Sequence, residues 1–406
     1  MALIVQKYGG TSVKDTERIK AVARRALDTQ RRGNDVVVVV SAMAGETNRL
    51  LKLTHEVSPR PDEREQDVVA ATGEQVTIGL AALAVQGLGG KARSFTGPQV
   101  RILTDSAFSK ARIVSIDDRK LRESLSRGEI AVVAGFQGED DEGNITTLGR
   151  GGSGTTAVAI AAALEADACE IYTDVDGVYT TDPNVCPAAR KLDRISYEEM
   201  LELAGAGAKV LQIRSVEFAM KYEVPLWVKS SFTNDPGTLC CAEDPSMEHV
   251  VVSGIAYDKN EAKVSLRGVS DKPGVAARIF KPLSDANIVV DLIVQNVSQS
   301  GKTDLTFTVG KTDLPKALEV MKRALAEIGA EKIDTDDKIA KVSIVGVGMR
   351  NHAGVASKAF EVLANAGINI EAISTSEIKV SMVIQEKFME LAVRELHSAF
   401  GLDAKA

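Results

Sequence analysis

Asp35 opens a run of five valines, Val36–Val40, which ends in Ser41-Ala42-Met43-Ala44-Gly45-Glu46-Thr47-Asn48. A strand with no polar alternation has no solvent face, so this one is buried on both sides, as in a parallel sheet covered by helices. Ligands of such sheets collect at the carboxyl ends of the strands, which places the small and hydroxyl residues after Val40 at a candidate binding edge. Further short strands are expected at Lys91–Phe95, Ile113–Ile116 and Ile130–Ala134, with a helix near Asp118–Ser126. That alternation predicts an α/β fold with a doubly wound, mostly parallel sheet. At 406 residues the chain is long enough for two or three domains.

Near the N-terminus, Leu3-Ile4-Val5 form an apolar run, Gln6-Lys7-Tyr8 follow, and Gly9-Gly10 break the pattern. From Thr16 a helical period sets Ile19, Val22, Ala23 and Leu27 on one face. Strand, glycine turn and helix together can bind an anion, through exposed N–H groups, the helix N-terminus and the Lys7 cation. An ordinary turn with a solvated lysine fits the same residues. After Pro59 and Pro61 a helix is expected from Arg64 to Val85, with Gly73-Glu74 in its middle. A carboxylate on a helix is usually solvated. A mid-helix glycine costs about 1 kcal/mol against alanine, and a ligand approaching beside Glu74 would account for it.

Gly149-Arg150-Gly151-Gly152-Ser153-Gly154 precedes the apolar helix Ala157–Leu164, and Asp174 lies twenty residues past Gly154. Locally this satisfies the dinucleotide-binding fingerprint. Its position in mid-chain speaks against that reading, and so does Arg150, which suits a small carboxylate. Asp174-Val175-Asp176-Gly177 lacks the remaining ligands of a calcium loop. Gly301-Lys302-Thr303 and Gly310-Lys311-Thr312 lack the leading glycine of a phosphate loop. Cys169, Cys186, Cys240 and Cys241 have no metal spacing, and no metal site is expected from protein ligands alone. Reduced thiols fit a cytoplasmic protein. A net charge of −7 argues against nucleic-acid binding, and the longest apolar run is too short for a membrane span. No N-terminal targeting segment is evident.

Three motifs carry a resemblance when taken as a set. They are Lys7-Tyr8-Gly9-Gly10-Thr11-Ser12, Gly149-Arg150-Gly151-Gly152-Ser153, and Asp174-x-Asp-Gly-Val-Tyr179-x-x-Asp182-Pro183. Together with Lys209-Val210 and the strand Leu226–Lys229, they make Leu3 to Ser231 similar to the aspartate kinases of the amino-acid kinase family. The resemblance implies transfer of the γ-phosphoryl group of ATP, with Mg2+, to the side-chain carboxylate of L-aspartate. It implies catalytic roles for Lys7, Glu74 and Asp174. ATP would be surrounded by Lys7, Tyr8, Gly9, Gly10, Ser41, Thr173, Asp174, Tyr179, Asp182 and Lys209. Aspartate would be held by Thr47, Glu74, Arg150, Gly151, Gly152 and Ser153. The family usually carries Asp where this chain has Gly154, a difference expected to slow the kinase. A kinase for another amino acid, and a weakened homologue acting mainly as a sensor, remain the alternatives.

The C-terminal part repeats itself. Val264-Ser265-Leu266 matches Val342-Ser343-Ile344, Gly274-Val275-Ala276 matches Gly354-Val355-Ala356, and Ala286-Asn287-Ile288 matches Ala366-Gly367-Ile368. The offset moves from 78 to 80 residues. Each copy resembles the βαββαβ ACT module, which binds small amino acids where two copies pack. The expected domains are therefore 1–233 (kinase), 234–247 (linker), 248–335 (first ACT module) and 336–406 (second). By resemblance, lysine or threonine would be held by Asp271, Gly274, Gln295 and Asn296, and by Val355, Ala356, Asn369, Ile370 and Ser376. Asn351-His352-Ala353-Gly354 stands where Ser-His-Pro-Gly is usual. Met247 precedes the repeats, and some relatives start a separate regulatory chain internally, so a homodimer or an α2β2 assembly through the ACT modules is expected.

Overall fold

The computed structural model describes residues 1–244, 251–296 and 301–404, without the side chains of 326, 327 and 351. It forms two compact units. The first holds Met1–Tyr179, Lys191–Gly205 and the described residues from Lys209 to 244; the second holds Thr180–Arg190, Ala206–Ala208 and the described residues from 251 on.

In the first unit the chain runs β1 (Leu3–Tyr8), α1 (Thr16–Arg31), β2 (Asp35–Val40), α2 (Glu46–Val57), α3 (Glu63–Ala70), α4 (Thr72–Gly87) and β3 (Ala92–Phe95). Next come β4 (Ile102–Thr104), β5 (Ile113–Ile116), α5 (Arg119–Ser126), β6 (Ile130–Ala134), β7 (Gln137–Glu139), β8 (Ile145–Thr147), α6 (Gly152–Leu164) and β9 (Ala168–Thr173). The unit closes with β10 (Arg194–Ser196), α7 (Tyr197–Gly205), α8 (Ile213–Lys221), β11 (Leu226–Ser230) and β12 (Thr238–Cys241). The main sheet has the order β10-β12-β11-β9-β1-β2-β6-β3 and is parallel except between β11 and β12. The valine strand lies near its centre, with Val36–Val40 fully buried as its composition requires. Helix α1 starts where the Asp15 carboxylate accepts from the Arg18 N–H at 2.8 Å, and its Ile19, Val22 and Leu27 pack on the sheet with α4. Strands β4, β5, β7 and β8 form a separate small sheet.

Two expectations change here. The single helix predicted from Arg64 is α3 and α4, joined through Ala71 in a helical conformation. The stretch Glu63–Gly87 is long and apolar enough to cross a membrane, but half of its most apolar part is buried within the unit. The linker expected at 234–247 contains β12, which pairs with both β10 and β11. Pro236 and Gly237 mark only the turn leading into it. Residues 245–247, Met247 included, lie outside the described residues.

The second unit contains β13 (Gly254–Asp258), β14 (Glu261–Ser270), α9 (Val275–Asp285), β15 (Val290–Gln295), β16 (Lys302–Gly310), α10 (Leu314–Ile328) and β17 (Lys332–Asp336). The second repeat follows as β18 (Ile339–Val345), α11 (Val355–Asn365), β19 (Ala372–Thr375), β20 (Lys379–Gln385) and α12 (Met389–Ala399). The first repeat closes its own sheet, β15-β16-β14-β17. The second does not: its sheet is β13-β18-β20-β19, and the strand beside β18 comes from before the first repeat. The boundary expected at 248 is therefore wrong for Gly254–Asp258.

Helices cover one face of each sheet, with Val264 and Leu266 in one core and Val342 and Ile344 in the other. Charged residues alternate with them. Lys263 pairs with Glu371, and Lys341 pairs with Asp291 and, at 3.1 Å, with Glu261. Lys263 and Lys341 are 78 residues apart, Asp291 and Glu371 are 80 apart, and these are the two offsets of the repeat. Each repeat thus reaches an acid of the other with the same lysine.

Candidate functional site

The carboxyl edge of the central strands gathers several of the expected residues. The Ser41 N–H, just past β2, donates to the Tyr8 carbonyl at 3.0 Å, and the Gly9 N–H donates to the Tyr172 carbonyl at 3.3 Å. Thr173 and Asp174 stand at the end of β9, where the Thr173 hydroxyl donates to the Asp174 carboxylate at 3.0 Å. Beside this edge lies a cavity of about 220 Å³, whose lining includes Gly10, Ser41, Ala42 and Thr47. A Cβ on Gly10 would come 3.1 Å from the Ala42 carbonyl, so the turn is tight against the loop after β2. The Lys7 ammonium makes no hydrogen bond or ion pair among the described residues. Burial lowers its amine to about 8, against the opposing influence of Cys169 and Asp174. A largely desolvated ammonium without a bonded counterion fits an anionic group such as a phosphate.

Glu74, in the first turn of α4, is 2% exposed. Its Oε1 accepts the Ala42 N–H at 2.9 Å, while its buried Oε2 has no partner. Burial raises the carboxyl to about 7, opposed by the Ala42 N–H. An unpaired buried carboxylate oxygen is costly, and a ligand ammonium would relieve it. The reason for Gly73 is different from the expected one. A Cβ there would lie 2.8 Å from the Ala42 Cβ, so the close neighbour is the protein's own chain.

Arg150 is exposed and makes no bond among the described residues. It sits between Gly149 (φ +77°) and Gly151 (φ +79°), both in the left-handed region that glycine tolerates. Gly152, Ser153 and Gly154 are buried in the first turn of α6 and do not form a loop. The strand before this loop, β8, belongs to the small sheet. The dinucleotide fingerprint therefore lacks its structural context, a strand of the parallel sheet leading into the helix. A Cβ on Gly154 would lie 2.9 Å from the Ser215 Oγ of α8, so a side chain there requires Ser215 to move.

Sequence patterning gives little sign of two further charged residues. Asp67 on α3 is 1% exposed and accepts four bonds, from the Ser109 N–H (2.9 Å) and hydroxyl (3.4 Å) and the Thr147 N–H (2.8 Å) and hydroxyl (2.7 Å). Arg214 on α8 donates to the Leu148 carbonyl at 2.9 Å and the Ala111 carbonyl at 2.8 Å. The one available clue is that Asp67 lies seven residues before Glu74, two helical turns along one face.

Other expected residues fall elsewhere. The Tyr8 side chain is 1% exposed, stacks on Tyr172 at 4.8 Å and donates to Gln6, so it belongs to the core. Tyr179 donates to Asp176 at 2.9 Å, and Lys209 is exposed. Asp182 lies in the second unit, where it accepts from the Tyr257 hydroxyl at 2.8 Å and from Asn184. Among the effector candidates, Asp271 and Gly274 flank the turn from β14 to α9, and Val355 and Ala356 open α11. Gln295 and Asn296 end the region of β15; Asn369 and Ile370 precede β19, and Ser376 follows it.

A model of the amino acid kinase family matches residues 2–230, and an ACT domain model matches 264–325 and 342–400. The chain belongs to the amino acid kinase family. This family member is 61% identical to the aspartokinase of Pseudomonas aeruginosa, over 100% of its own length and 99% of the relative's. Among solved structures it is similar to Escherichia coli aspartokinase III in complex with aspartate and ADP (R-state), with 26% identity, a TM-score of 0.83, and coverage of 98% and 99%. The lysine and aspartate complex of that enzyme (T-state) gives 27% identity and a TM-score of 0.77, with coverage of 98% and 99%.

Proposed function

We propose that this amino acid kinase is an aspartate kinase, transferring the γ-phosphoryl group of ATP to the side-chain carboxylate of L-aspartate to give 4-phospho-L-aspartate. The observation that carries this reading is Glu74, buried beside the cavity with one oxygen unpartnered. That oxygen receives the substrate ammonium, and Arg150 takes a carboxylate. Thr47, Gly151, Gly152 and Ser153 complete the aspartate side. The similarity to aspartokinases along the whole chain supports the substrate.

The nucleophile needs no general base, because a free aspartate carboxyl with a pKa near 3.9 is ionised at neutral pH. Catalysis then rests on holding two anions together and on stabilising charge as the phosphoryl group moves. Lys7 meets the phosphates beside the Gly10 N–H, the Gly9 N–H being held by the Tyr172 carbonyl, with Ser41, Thr173, Asp174, Tyr179 and Lys209 around the nucleotide. Asp182 keeps Tyr257 and Asn184 as partners, so its part is to hold its own segment. Among the described residues no group of three metal-binding side chains occurs. Magnesium would be held mainly by the phosphates of ATP, with Asp174 the carboxylate at hand, and would supply neutralisation of their charge. The ACT repeats bind lysine, threonine or both through the residues named for them, and they carry a homodimeric or α2β2 assembly of a cytoplasmic enzyme. Gly154 favours a second reading, a weakened kinase that serves mainly as a sensor.

The test compares Glu74→Gln and Arg150→Ala with the parent. Both should lower kcat/KM for aspartate at least a hundredfold while the Kd for ATP stays within threefold. Unchanged use of aspartate in either variant would remove that residue from the site.

A further inference from the structure

We propose that Asp67 and Arg214 are positioning residues that clamp the Arg150 loop from its two sides; this rests on Arg150 meeting the substrate carboxylate. The loop cannot hold itself. Arg150 stands between two glycines with positive φ, and its guanidinium has no bond among the described residues. Its position is set by what precedes Gly149.

There the clamps are of opposite charge. The Asp67 carboxylate takes the Thr147 N–H and hydroxyl, and the Arg214 guanidinium takes the carbonyl of the next residue, Leu148. Each also holds a second piece of chain against the loop. Asp67 takes the Ser109 N–H and hydroxyl, and the Ser109 carbonyl lies 3.0 Å from where a Cβ on Gly149 would stand. Arg214 takes the Ala111 carbonyl, while the Ala111 N–H donates to the Thr147 carbonyl at 2.9 Å. Four backbone groups around the entry to the loop thus end on two buried or half-buried charges, a stronger tie than neutral bonds give.

Asp67 also lies two turns before Glu74 on the nearly continuous helix α3–α4. One rigid element therefore carries the acid assigned to the ammonium and the acid that sets Arg150. The spacing between the groups at the two ends of the amino acid depends on it, and a shift of about 1 Å in such a spacing can cost about a hundredfold in rate.

The experiment uses the full-length protein with Asp67→Ala, Asp67→Asn and Arg214→Met. Asp67→Ala should raise the KM for aspartate at least tenfold, leave the KM for ATP within twofold, and speed amide exchange at Ser109 and Thr147. Asp67→Asn keeps an acceptor for both N–H groups, and the two hydroxyls can turn to its amide, so its aspartate KM should stay within threefold of the parent. Should Asp67→Ala fail to fold, Arg214→Met carries the same test, with the same split between the two KM values and faster exchange at Ala111 and Thr147. An unchanged aspartate KM, a parallel rise in both KM values, or unaltered exchange overturns the proposal. The exchange needs no substrate, so the clamp is judged by it even if the parent proves not to use aspartate.

Discussion

Burial moves Glu74 and Lys7 toward one another, the acid up to about 7 and the amine down to about 8. In the proposed reaction the working forms are ionised Glu74 and protonated Lys7, so the two would limit activity from opposite sides. The kcat/KM for aspartate, measured at saturating ATP, should fall below pH 7 as Glu74 takes up its proton. The kcat/KM for ATP should fall above pH 8 as Lys7 in the free enzyme loses its own, since such profiles report the free form. In kcat the basic limb should move upward, because bound phosphates favour the ammonium. Limbs near the ordinary values of 4.5 and 10.5 would show that neither group is desolvated as described. Lys7 and Arg150 could be singled out in the sequence because short motifs carry them, and Glu74 because a glycine precedes it in mid-helix. The Tyr8 side chain parts from that of Lys7 because a strand sends neighbouring side chains to opposite faces, and it packs against Tyr172. Asp67 was not legible because its partners, Ser109 and Thr147, lie 42 and 80 residues away.

Single elements were legible where one physical signal dominated. The valine run could only be a doubly covered strand, and the repeat of Val-Ser-Leu as Val-Ser-Ile placed β14 and β18. Strand β12 was hidden by Pro236 and Gly237 beside it, which look like linker residues until pairing on both sides gives Thr238–Cys241 a place. The exchange of charge between repeats was also hidden, because a lysine in a strand reads as a solvated residue. Lys341 is 6% exposed and Glu261 is 6% exposed. Removing the cation leaves Glu261 buried without it, at a cost of about 3–5 kcal/mol, whereas an apolar replacement of both buried partners is close to neutral. Lys341→Ala should therefore lower the urea midpoint strongly, and Lys341→Met with Glu261→Leu should recover most of it. Equal midpoints for the parent and Lys341→Ala would mean that the pair contributes nothing to the unit.

Across the whole molecule, the boundary between the units departs from the order of the chain. Thr180–Arg190 follows the Asp174–Tyr179 segment directly, yet it belongs to the second unit. There the Ile255 N–H donates to the Thr180 carbonyl at 2.7 Å, and the Thr180 hydroxyl meets buried His397 Nε2 at 2.9 Å. Contacts across 217 residues cannot be read from composition or periodicity, so the sequence placed this segment wholly with the kinase. What was legible at this scale is the sum of the parts, an α/β kinase unit followed by two ACT repeats. The chemistry assigned to that assembly makes an acyl phosphate, which hydroxylamine converts to a stable hydroxamate. With ATP, magnesium and hydroxylamine, L-aspartate should give hydroxamate, and glutamate and acetylglutamate should give none. Hydroxamate from one of those in place of aspartate, or none from any of the three, would contradict that chemistry.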